Sequence, residues 1–183
     1  MSQTVHIIGA GLAGSEAAWQ LAERQIPVRL YEMRPEQMTP AHQSGNCAEL
    51  VCSNSLRSDD PTRNAVGLLH QEMRLLDSLV MQAAAMHRLP AGGALAVDRK
   101  GFSTWITDRL HSPPCITLVR AAMEKPPEEG ITLIASGPLT SPPLAGWLEK
   151  LLGTHLAFFD AIAPIVSLES IDFTKCWKQS RYD

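Results

Sequence analysis

No apolar run in this chain of 183 residues approaches the roughly 20 residues that a helix needs to cross a bilayer, so no membrane partner is expected. The first residues hold no cationic stretch ahead of an apolar segment and no cleavage pattern. No secretory leader is expected, and the protein reads as cytoplasmic. Charge of neither sign dominates: 16 Lys and Arg against 19 Asp and Glu leave a net charge of −3. Such a balance gives no general attraction to DNA, RNA or anionic lipid, and any RNA contact must come from a local patch. Cysteine is scarce as well. Cys47, Cys52, Cys115 and Cys176 form no C-x-x-C pair and no regular spacing, which argues against a zinc site or a disulfide framework. They are expected to be reduced thiols, mostly buried as small hydrophobes. No internal repeat or low-complexity tract is present. What remains is 45% hydrophobic and 19% charged, the composition of a globular protein with one well-buried core, or one domain and part of another.

Against that plain background the amino terminus stands out. Val5–Ile8 is an apolar strand, Gly9-Ala10-Gly11-Leu12-Ala13-Gly14 is a G-x-G-x-x-G turn, and a helix follows to Ala22. A second strand, Val28–Glu32, ends in an acid. Each part suits a dinucleotide. Gly9 permits the tight turn, Gly11 lets backbone approach a pyrophosphate, and Gly14 lets the helix pack close on the strand. The helix N-terminus offers free N–H groups and a positive dipole end. Glu32 falls at about the 20-residue distance where an acid takes hydrogen bonds from a ribose hydroxyl. That acid argues against a 2′-phosphate, although nearby Arg34 softens the argument.

Arg34 to about Pro61 reads as a long polar loop, and its length, with Ala48–Cys52 in its middle, marks it as functional. Asn64–Arg88 has helical spacing throughout, interrupted only at Leu89-Pro90. Gly93–Asp98 is a short strand, Phe102–His111 a helix, and Ile116–Arg120 and Ile131–Ala135 are strands. Pro143–Leu152 is a helix ended by Gly153, and Leu156–Asp160 and Ile165–Leu168 look extended. This alternation predicts an α/β fold: a parallel, doubly wound sheet with helices on both faces. The chain stops at Arg181-Tyr182-Asp183 without a closing helix, as part of a longer protein would.

Several residues admit a chemical and a plain reading. Cys52 lies in Leu50–Arg57; an arbitrary cysteine is more often a buried structural thiol, but the long loop, the polar side chains that follow and Arg57 favour a reactive one. Cys47 lacks such company and reads as structural. Ser136-Gly137-Pro138 either lets backbone pass near a cofactor or simply turns the chain. Asp98–Phe102 reads as a turn and helix cap with Arg99 and Lys100 solvated. His6 reads as a satisfied histidine of the strand, and the role of His42 is open. Phe173–Tyr182 interleaves cations with aromatics, as a grip on single-stranded nucleic acid would; a strand with charged edges is the plainer reading.

Taken together, these stretches resemble the folate- and flavin-dependent tRNA (uracil-5-)-methyltransferases of bacteria. The matching runs are Val5–Ala22 with Tyr31–Pro35, Thr39–His42, Glu49–Arg57, Gly93–Arg99 with Phe102-Ser103, Ser136–Leu144 and Phe159–Val166. The most specific is Glu-Leu-Val-Cys-Ser-Asn-Ser-Leu-Arg, which generic flavoproteins do not carry. The resemblance implies a Rossmann-like FAD-binding domain of the glutathione-reductase-like type, with 1–183 its amino-terminal part. An inserted RNA-facing domain and the closing part of the FAD domain would lie outside this chain. It implies methylation of a T-loop uridine in tRNA, with methylenetetrahydrofolate supplying the carbon and NAD(P)H recharging the FAD. Gly9, Ala10, Gly11, Leu12, Ala13, Gly14, Glu32, Met33 and Arg34 would hold the cofactor. Cys52 would be catalytic, beside a second cysteine that lies beyond Asp183 and that Cys176 does not replace. This chain alone would then be inactive. The opening fingerprint also suits an FAD-binding protein of tRNA wobble-uridine modification, a general FAD/NAD oxidoreductase, a methyltransferase of ribosomal RNA, or a nucleotide-binding fragment without activity.

Overall fold

The parallel sheet forms from four short apolar strands laid edge to edge in the order β6-β2-β1-β7, in a computed structural model that describes residues 3–153 and 168–177. β1 is Val5–Ile8, β2 Val28–Glu32, β6 Ile116–Arg120 and β7 Ile131–Ile134. Ile8 pairs in register with Tyr31 on one side and with Ile134 on the other, so the carboxyl ends of three strands meet at one rim. In open parallel sheets that rim is where ligands bind.

The pleat sorts the side chains. Ile7 and Leu30 enter one core with Ala18 and Trp19 of α1 (Leu12–Glu23), Leu79 and Ala83 of α3 (Leu79–Met86), and Phe102, Ile106 and Leu110 of α4 (Arg99–His111). Ile8 and Tyr31, one position on, pack on the opposite face against Leu144 and Trp147 of α5 (Pro142–Leu152). Helices therefore cover both faces, and the expected Rossmann-like class of FAD-binding domain is the architecture observed. Each fully buried Leu, Ile or Phe contributes about 1.5–3 kcal/mol.

Four expectations need correction. The stretch Asn64–Arg88 is two helices, α2 (Ala65–Leu75) and α3, not one. Asp77 takes φ 53°, and the Ser78 hydroxyl accepts the Met81 N–H, so a serine N-cap restarts the helix. The loop from Arg34 also hides a strand, β3 (Ser55–Ser58). It pairs antiparallel with β5 (Ala94–Val97), which pairs in turn with β4 (Arg88–Leu89). This second, three-stranded sheet takes up the strand foreseen near Gly93, which does not join the parallel sheet. Phe173–Trp177 includes a turn rather than a strand: the Asp172 carboxylate accepts the Thr174 N–H at 3.0 Å and lies 3.4 Å from Lys175. Lys178–Tyr182 lies outside the described residues. So do the two late extended runs, apart from Leu168, which opens a 3-10 turn.

Candidate functional site

The glycine turn sits at the rim where β1, β2 and β7 end. Gly9 has φ +100°, and a Cβ there would come within 2.6 Å of the Ala135 carbonyl oxygen. At Gly14 a Cβ would lie 1.8 Å from the Gly9 carbonyl oxygen, so α1 can approach the turn only without a side chain. Gly11 differs: a Cβ there would meet nothing within 4 Å, although the residue lines a cavity of about 330 Å³. Gly11 is also the N-cap of α1 and gives it no side-chain cap. The helices α2, α3 and α4 are capped by Asn64, Ser78 and Asp98. The first turn of α1 therefore faces an open space with its donors unclaimed by a cap. α5, whose preceding Ser141 forms the other wall, begins Pro142-Pro143, and those first two helical positions have no N–H to give.

Buried charge forms the floor. Arg34 is 2% exposed. Its Nε donates to Glu32 Oε1 at 2.8 Å and its Nη1 to Glu49 Oε2 at 3.2 Å. Glu32 Oε1 also accepts the Arg34 N–H, and Oε2 accepts the Ala10 N–H at 3.0 Å. Burial alone would raise the Glu32 carboxyl. The hydrogen bond and charge of Arg34, with the two N–H groups, outweigh it and hold the group below the usual carboxylate range. Glu49 is treated alike: burial opposes ionisation, but the Gln43 N–H and the Ser44 hydroxyl and N–H pull the carboxyl down. Arg34 thus pairs with two carboxylates through Nε and Nη1, and Nη1 also reaches the Ser44 carbonyl at 3.4 Å.

The loop carrying Cys52 is pinned beside this floor. The Ala48 N–H donates to the Ala10 carbonyl at 2.8 Å, which ties the loop to the glycine turn. Arg99 Nη2 donates to the Leu50 carbonyl, with Val51 O at 3.5 Å. Arg99 is thus a clamp and not the solvated charge foreseen. Beyond the cysteine, Asn54 accepts the Val97 N–H at 2.9 Å and donates its amide to Val97 O.

Of the residues singled out from sequence, Gly9, Gly11, Leu12, Ala13, Glu32, Met33 and Arg34 line the cavity together, with His42 and Ser136. Ala10 and Gly14 lie behind that surface and shape the turn. Cys52 is not on the cavity wall; Val51, its neighbour, is. Cys52 and Cys176 are exposed and Cys115 is half-buried, against the expectation of mostly buried thiols; Cys47 is buried, and burial pushes its thiol up. His6 bonds the Tyr31 hydroxyl at 3.0 Å, as a satisfied histidine should. Sequence reasoning missed the roles of Glu49 and Arg99, whose partners come from other segments.

Residues 4–183 match the family described as Glucose inhibited division protein A. The chain belongs to that family. Among curated proteins it is 67% identical over 181 residues to the methylenetetrahydrofolate--tRNA-(uracil-5-)-methyltransferase TrmFO of Magnetococcus marinus, covering 98% of this chain and 41% of the relative. It is 60% identical over 186 residues to the protein of the same name from Paramagnetospirillum magneticum, covering 100% of this chain and 42% of that one. The chain thus spans about two-fifths of the length of these relatives. A crystal structure of FqzB, 16% identical, superposes with a TM-score of 0.50 over 81% of this chain and 38% of that one, a likeness of fold alone.

Proposed function

We propose that this chain is the amino-terminal, FAD-holding part of a folate-dependent enzyme that methylates C5 of a T-loop uracil in tRNA. NAD(P)H would recharge the flavin. The cofactor half of this reading rests on one observation: at Gly11 a Cβ would enter open space directly before an uncapped helix N-terminus, at the rim of the parallel sheet. The residues fit a dinucleotide. Gly11, Leu12 and Ala13 would face its diphosphate and Glu32 its ribose, while Met33 and Arg34 complete that end. Bound FAD would supply reducing equivalents that no side chain can. The activity half rests on the likeness to the Magnetococcus marinus relative. Because that relative is much longer, methyl transfer is proposed for a polypeptide of its length. A thiolate adding at uracil C6 makes C5 nucleophilic. Cys52, exposed and held on both sides by Arg99 and Asn54, is our candidate for a thiol at the reacting base.

Titrating the chain with FAD tests the first half. Flavin fluorescence should be quenched on binding. Gly11→Val should weaken uptake at least tenfold, while the chain without cofactor melts within a few degrees of the parent. Equal binding by Gly11→Val would refute the site. The second half is tested by labelled methylenetetrahydrofolate and unmodified tRNA with the longer polypeptide. Cys52→Ala should abolish transfer and leave flavin absorbance intact. Label appearing in ribosomal RNA instead would move the substrate.

A further inference from the structure

The hydrogen bonds around Thr39 fix where the proton of the His42 ring sits. Thr39 Oγ1 accepts two backbone N–H groups, from Ala41 and from His42, each at 3.3 Å. A hydroxyl oxygen has two lone pairs and one proton. With both lone pairs engaged, the 2.6 Å contact between Thr39 Oγ1 and His42 Nδ1 uses the hydroxyl proton, and Nδ1 accepts it. A neutral imidazole accepting at Nδ1 carries its proton on Nε2. No hydrogen bond to Nε2 is made among the described residues, and His42 lines the cavity.

The other side of the same corner is short of a hydrogen bond. A carboxylate has about four acceptor positions. On Glu32, Arg34 takes two through its N–H and Nε and Ala10 takes one, which leaves a single position on Oε2. A ribose presents two neighbouring hydroxyls, so Glu32 can accept a hydrogen bond from only one of them.

We propose that Thr39 and His42 form a second cofactor-reading device, in which Thr39 fixes the Nε2–H form of His42 and that N–H donates to a ribose oxygen at the Glu32 end of the cavity. The inference rests on the reading of this cavity as the dinucleotide site. The electrostatics agree with a neutral ring: burial and then the charge of Arg34 lower the His42 pKa, against Glu49 and Glu32, which raise it. A neutral donor beside an ionised acceptor suits a diol and offers no cation to a 2′-phosphate. Thr39 is then a positioning residue, acting through His42.

Two measurements on this chain decide the matter. Two-bond ¹H–¹⁵N spectra of the histidine rings report the tautomer with no cofactor present. His42 should show a protonated Nε2 and bare Nδ1 in the parent and in Thr39→Ser, and a mixture in Thr39→Val. FAD titration should show His42→Gln, whose amide can reach as Nε2–H does, within about twofold of the parent. His42→Ala should bind about tenfold more weakly, the loss of one hydrogen bond, and Thr39→Val about threefold. A proton on Nδ1 in the parent would overturn the proposal, and so would His42→Ala binding like the parent while Gly11→Val does not bind. If the parent itself takes up no FAD, the cofactor reading falls and carries this inference with it. The tautomer spectrum separates that outcome, because it needs no ligand.

Discussion

Arg34 is the charged group on which the cavity floor depends. It neutralises Glu32 and Glu49, and its carbonyl accepts from Arg120 Nη1 at 2.9 Å. Removing one partner of a buried ionic cluster strands the others. Arg34→Ala should therefore lower the unfolding free energy in urea by about 3 kcal/mol with an unchanged m-value. Arg34→Lys should recover only part, since one ammonium cannot span two carboxylates as a guanidinium fork does. Both carboxyls ionise more readily folded than unfolded, so their contribution is present above the ordinary carboxylate range and is lost as pH falls below it. Arg34→Ala should flatten that acid limb of a stability–pH curve. Glu32 was legible because a fixed spacing from the glycine turn marks it. Glu49 and Arg99 were not: an acid meeting Ser44 and Arg34, or an arginine reaching across to the Leu50 carbonyl, leaves no periodic trace in the chain.

The elements fared unevenly for physical reasons. β1, α1, β2, β6, β7 and α5 came out of the sequence nearly at their true bounds, because short apolar and β-branched runs between turn residues, and apolar residues at helical spacing, write strong patterns even where, as in β7, Ile131 and Leu133 are exposed. β3 did not, since Ser-Leu-Arg-Ser has no alternating apolar face and its strand character comes from pairing with β5. The break between α2 and α3 was missed because apolar spacing continues across it. Ser78 makes the break. It caps α3 and donates to Glu16 Oε2 at 2.8 Å, while Glu16 also accepts the N–H groups of Leu79 and Val80. Ser78→Ala should cost about 1–2 kcal/mol by thermal or urea unfolding. Glu16→Ala should cost a similar amount, and the double variant should lose less than the sum because the two share one network. Additive losses would separate them.

Across the molecule, the small sheet and the helices beside it are joined through Asp59. Its carboxylate meets Arg74 at 2.6 Å, His70 at 3.1 Å and Arg88 at 3.2 Å, bridging α2 and β4. Burial would raise this carboxyl, but the hydrogen bonds from Arg74 and His70 and the charges of Arg74 and Arg88 bring it down. Asp59→Asn should destabilise the chain by about 1–2 kcal/mol near neutral pH. The folded pKa lies below the unfolded one, so the difference should shrink as the solution is acidified below about pH 4. A gap that persists at pH 3 would show that packing, not charge, sets the effect.

The two prolines that open α5 make its start unlike that of α1. The start of α1 offers N–H groups to an anion, whereas the first two positions of α5, behind Ser141 on the cavity wall, have none. Free N–H groups at a helix start are therefore offered to the cleft by α1, and an anion held by such donors belongs at the glycine turn. The place of a negative charge is thus set by the backbone before any side chain reads the guest.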